Sequence, residues 1–78
     1  MMSETPFQKP EDMVRNLDGE SLDLIVKRDV DCNGSWDNVR RRVKASLLPK
    51  INFLEVYERQ NKLNLGTYVR TYLADKKA

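Results

Sequence analysis

The sequence predicts a mostly α-helical fold, a small bundle of four to five short helices. Three observations lead there. Apolar residues recur at helical spacing along most of the chain. Capping residues and prolines stand where those periodic runs begin and end. No two segments read convincingly as paired strands, and a lone strand cannot satisfy its own backbone groups. With 78 residues, the chain forms one small core. A domain of this size buries only about 60% of its unfolded surface, which leaves no room for a deep substrate cavity. Residues 1–8 are polar and aperiodic and read as a flexible N-terminal arm, followed by a single helical domain over 9–78.

Pro10 suits the first position of a helix, and Glu11 and Asp12 favour its first turn. Met13, Val14 and Leu17 supply an apolar side, so the first helix is expected over about 10–17. Asp18-Gly19 then reads as a turn or a helix C-terminus. In "ESLDLIVKRD", Leu22, Ile25 and Val26 fit helical spacing, whereas Leu22, Leu24 and Val26 fit strand alternation; with no partner strand available, helix is preferred. Ser35 is a good N-cap with Asp37 in the first turn behind it. Trp36, Val39, Val43 and Leu47 form a stripe that predicts one helix from Ser35 until Pro49 stops it. A further helix starts at Pro49, with Phe53, Val56, Tyr57, Gln60 and Leu63 sharing a face that Ile51 and Leu54 widen. Glu55–Arg59 and Glu58–Lys62 are i,i+4 pairs with the acid first, as a solvated face prefers. Asn64 to Gly66 reads as a break. Leu65, Tyr68, Val69, Tyr72 and Leu73 then give the cleanest amphipathic pattern of the chain.

Composition narrows the chemistry. The chain has no histidine and one cysteine, Cys32. It therefore lacks the commonest general base, the usual partner of a Ser or Cys nucleophile, and the ligand set of a zinc site. A non-enzymatic protein without cofactor or metal is expected. No disulfide can form within the chain, and no apolar run approaches the roughly 18 residues of a membrane span. A cytoplasmic protein that does not engage membranes is the expectation.

Charge is divided unevenly. Residues 1–37 carry nine acids against four bases, a net −5; residues 38–78 carry ten bases against three acids, a net +7. Either the basic half meets a polyanion, or the halves attract each other within the fold or across a homodimer. The densest basic run is "RRRVK". As a helix it fans Arg40, Arg41, Arg42 and Lys44 around an exposed side, where they are candidate nucleic-acid contacts, DNA or RNA. The leading functional expectation is a small regulator that binds nucleic acid through this half. The alternative is a protein-binding adaptor or inhibitor, acting or dimerising through an apolar helix face that includes Tyr68 and Tyr72.

Two resemblances bear on these readings. From Arg40 the order "RRRVKASLLPKINFLEVYERQNKLNLGTYVRTYLADKK" resembles the ribbon-helix-helix family of DNA-binding dimers. That resemblance implies a β-ribbon over about 40–47 with Arg42, Lys44 and Ser46 in a major groove, and helices after Pro49 and near Leu65. The helical stripe of Trp36 to Leu47 argues for the other conformation of the same residues. Separately, "DVDCNGSWD" resembles an EF-hand loop, with Asp29, Asp31, Asn33, Gly34, Ser35 and Asp37 at its first nine positions. Arg40 stands where the bidentate carboxylate belongs, so weak calcium binding over 29–37 is a minor alternative. The same residues otherwise form a turn capped by Ser35.

Overall fold

A computed structural model describes residues 9–77; the arm expected over 1–8 lies outside the described residues. Five α-helices are formed among those residues: α1 (Pro10–Asn16), α2 (Gly19–Asp31), α3 (Trp36–Arg42), α4 (Leu48–Asn61) and α5 (Leu65–Lys77), with a 3-10 turn at Ala45–Leu47 before α4. There is no strand among the described residues. The fold is the helical bundle that the periodicity predicts. No helix of the described residues is long and apolar enough to cross a membrane.

At seven residues α1 is too short to stand alone, because a helix of that length does not recover its nucleation cost in water. It persists by burying Met13 and Val14 and packing along α5. Asp18 ends no helix; it starts one. Its Oδ1 accepts the Ser21 backbone N–H at 2.8 Å, so Asp18 is the N-cap of α2 and Gly19 its first residue. The ambiguous segment is helical throughout, with Ser21, Leu24, Ile25 and Arg28 turned inward. Beyond it, Asn33 and Gly34 take left-handed backbone angles (φ 54° and 76°) that reverse the chain. Ser35 then caps α3 through its side chain, as its position predicts.

The helix expected to run from Ser35 to Pro49 stops at Arg42. Val43 and Lys44 are extended, Ala45–Leu47 is a 3-10 turn, and α4 starts at Leu48. Arg42 turns back to donate from Nη1 to the Asp31 carbonyl oxygen at 3.0 Å, which ties the end of α3 to the end of α2. Proline acts here as a starter and not as a stop: it lies in the first turn of α4, and Leu48 before it is already helical. The short extended step at Val43–Lys44 pairs with no other segment among the described residues, so the β-ribbon implied for 40–47 is not formed there.

The rotation of α4 also differs from expectation. Ile51, Leu54 and Tyr57 face the core, whereas Phe53 and Val56 face solvent. Apolar residues surround this helix, so hydrophobicity alone sets no unique face. Polar tethers decide it: Lys50 to Asp18 and Glu20, Glu58 to Arg28, and Asn52 with Glu55 to Arg40. α4 closes on Lys62 in the left-handed conformation, where the Leu63 N–H reaches back to the Glu58 carbonyl oxygen at 3.1 Å. The core is then one cluster in which Val14, Ile25, Val39, Ile51, Leu54, Leu65 and Val69 are fully buried. Each contributes about 1.5–3 kcal/mol relative to an exposed side chain.

Candidate functional site

The charge division of the sequence is spent in part within the fold. Lys50 of α4 binds Asp18 and Glu20 at 2.8 and 2.5 Å, which joins the basic half to the acidic one at the start of α2. Arg70 of α5 reaches Asp29 at 3.3 Å, and Arg28 reaches Glu58 at 2.5 Å. The Lys50 hydrogen bond, helped by the Ser21 N–H, holds the Asp18 carboxyl at about 2, below its usual 3.8. The same bonds, Asp18 first, push the Lys50 ammonium upward.

Arg28 is the centre of the interior polar arrangement. Only 2% exposed, it donates to Asp29, Glu58 and Asn64 at 3.1, 2.5 and 2.8 Å, and its guanidinium lies 4.6 Å from the centre of the Trp36 ring. Glu58 accepts from Arg28 and from Trp36 Nε1 (2.9 Å) on one oxygen, and from the Leu65 backbone N–H (2.6 Å) on the other. Asn64 Oδ1 accepts the Gly66 N–H at 2.7 Å. The first free N–H groups of α5 are thus satisfied by a carboxylate and an amide, which is why the helix starts at Leu65 and takes Gly66 inside it. Glu58 does not form the expected surface pair with Lys62, whereas Glu55 does pair with Arg59, at 3.6 Å.

The four predicted nucleic-acid contacts fare differently. Arg40 is committed inward: it binds Asp37 and Glu55 and donates to Asn52 Oδ1 from Nε and Nη2 at 3.3 and 2.8 Å. The Glu55 hydrogen bond, first among these, pushes its guanidinium upward. Arg41 is exposed and donates to the Asn38 amide oxygen at 3.4 Å. Arg42 is exposed with its backbone bond to Asp31, and Lys44 is exposed. None of these last three has an acidic side chain as ion-pair partner among the described residues. They form a corner of unneutralised positive charge where α3 turns toward α4.

Tyr68 and Tyr72, the predicted protein-binding pair, are half-buried one turn apart on α5. They line a groove of about 260 Å³ together with Glu11 and Arg15 of α1 and Thr67, Thr71 and Asp75 of α5. The Lys76 ammonium lies 5.5 Å from the centre of the Tyr72 ring. Tyr57 is buried, and burial pushes its phenol upward. Cys32 is buried as well.

The carboxylates of the calcium-like spacing are engaged by basic side chains. Asp29 and Asp31 belong to the last turn of α2, where Asp29 is bound by Arg28 and Arg70 and Asp31 pairs with Lys27 at 4.0 Å. Asp37 is bound by Arg40. Among the described residues no group of three or more carboxylates or thiols is placed to hold a metal ion. The chain matches no protein-family model, no curated protein and no solved structure.

Proposed function

We propose that the protein is a small non-enzymatic regulator that binds nucleic acid through the corner formed by Arg41, Arg42 and Lys44. The observation that carries this reading is selective pairing. Bases elsewhere on the boundary between the halves, Arg28, Arg40, Lys50 and Arg70, are paired with acids, while these three consecutive or near-consecutive bases are not. A cluster of unpaired cations at a helix end suits a phosphate backbone, whose condensed counterions are released on contact. Arg40 serves the reading indirectly, by fixing α3 against α4. Fluorescence anisotropy with labelled DNA and RNA oligonucleotides at low salt tests it. An Arg41→Ala/Arg42→Ala/Lys44→Ala variant is expected to lose most of the affinity, and retention of wild-type affinity removes the reading.

A second reading, a protein-binding adaptor or inhibitor, is supported by the groove at Tyr68 and Tyr72. Its apolar ring faces and hydroxyl rim suit a peptide segment better than a phosphate backbone. Capture of a protein partner that survives nuclease treatment and is lost in Tyr72→Ala favours this reading over the first.

A further inference from the structure

We infer that the nucleic acid bound is single-stranded, and that Phe53 with Val56 on α4 is the platform on which its bases stack. This rests on the nucleic-acid reading of the basic corner. Phe53 is 58% exposed and Val56 41%; with Val30 of α2 at 72% they are the exposed large apolar side chains among the described residues. The two are three residues apart, on the outward side of α4.

Their neighbours on the helix surface are the residues that hold the arginine helix. Asn52 precedes Phe53 and binds Arg40 of α3 through two donors; Glu55 precedes Val56 and binds Arg40 and Arg59. The apolar platform therefore lies beside the α4 residues that meet α3, a helix whose last two residues are Arg41 and Arg42. On the same flank Arg59, 69% exposed, follows Val56 by one turn and pairs with Glu55. Glu55 is shared between two guanidiniums, so no bare carboxylate next to the platform repels phosphate.

This combination of an exposed ring with flanking guanidiniums is the chemistry of single-strand recognition. Phosphates follow the cations while unstacked bases lie on the ring. A duplex keeps its base faces stacked against one another and offers nothing to Phe53. A protein partner for the same face would leave the unpaired Arg41 and Arg42 at the end of α3 unexplained.

Anisotropy with a labelled 15-nucleotide oligonucleotide, single-stranded and as a duplex, tests this on the full chain. Wild type is expected to prefer the single strand. Phe53→Ala is expected to weaken single-strand binding about tenfold with an unchanged salt slope, and Phe53→Trp to retain it. Equal binding of duplex and single strand, or an unaffected Phe53→Ala, overturns the platform while leaving the basic corner standing. Loss of neither ligand in the Arg41/Arg42/Lys44 variant overturns the underlying reading instead. A Phe53-dependent dimer in sedimentation assigns the face to a second copy and also overturns the proposal.

Discussion

Glu58 of α4 and Arg28 of α2 meet at 2.5 Å, with side chains 12% and 2% exposed. The same carboxylate binds the Trp36 indole of α3 and the first N–H of α5. One side chain thus joins four helices. No buried side-chain nitrogen or oxygen among the described residues is left without a partner. In a chain too short for a large apolar core, this arrangement selects which helix faces meet.

Breaking that pair is the severest polar change available. Glu58→Ala leaves the Arg28 guanidinium buried and uncompensated and uncaps α5. Removing one partner of a buried ion pair costs about 3–5 kcal/mol, a large share of the 5–15 kcal/mol that holds a typical domain together. Urea denaturation is expected to show a largely unfolded Glu58→Ala. The Arg28→Met/Glu58→Gln double variant is expected to recover part of the loss, because neither partner is then left charged alone.

Gly66→Ala is expected to destabilise despite the better helix propensity of alanine. A Cβ there falls 1.9 Å from Asp29 Oδ2 and 2.9 Å from Asn64 Oδ1. Neither atom is free to retreat. Asp29 is held by Arg28 and Arg70, and Asn64 by Arg28 and the Gly66 N–H itself. A lowered melting temperature with weakened protection of the α5 amides is the expected result.

Lys62→Gly is expected to stabilise. Lys62 sits at φ 54° and ψ 50°, a conformation that costs a non-glycine residue about 1 kcal/mol. Glycine adopts it without strain but loses more chain entropy on folding, so the net gain is about 0.5 kcal/mol. Thermal melts of the two proteins measure it.

Asp18 makes acid stability predictable in sign. Its carboxyl titrates at about 2 in the fold against 3.8 unperturbed, chiefly through the Lys50 hydrogen bond. A depressed folded value means that the stabilisation is present above the unperturbed value and is lost as pH falls through the folded one. The loss therefore develops between about pH 4 and pH 2. Asp18→Asn keeps a capping oxygen while losing the ion pair, so its melting temperature is expected to fall less than that of wild type over this interval.

Helix existence was legible in the sequence because periodicity reports it directly. The stripes through Leu22–Val26 and Leu65–Leu73, the Ser35 cap and the Pro10 start all correspond to formed structure. Rotation and termination were less legible because they depend on contacts between distant residues. Nothing local shows that Arg40 will bind Asn52 and Glu55, yet those bonds turn Phe53 outward. The role of Arg28 left one signal. It lies four residues after Leu24 and three after Ile25, so helical spacing places it on the inner face, where a cation requires a carboxylate partner. Which carboxylate it meets, Glu58, is set by the tertiary fold alone.

The division between acid-paired and unpaired bases is tested most directly by the salt dependence of oligonucleotide binding. Each phosphate contact on a single strand contributes about −0.7 to the slope of log affinity against log salt. The Arg41→Ala/Arg42→Ala/Lys44→Ala variant is predicted to flatten that slope by about 2, while Arg70→Ala, whose partner is Asp29, leaves it unchanged. An equal slope for wild type and the triple variant contradicts the account.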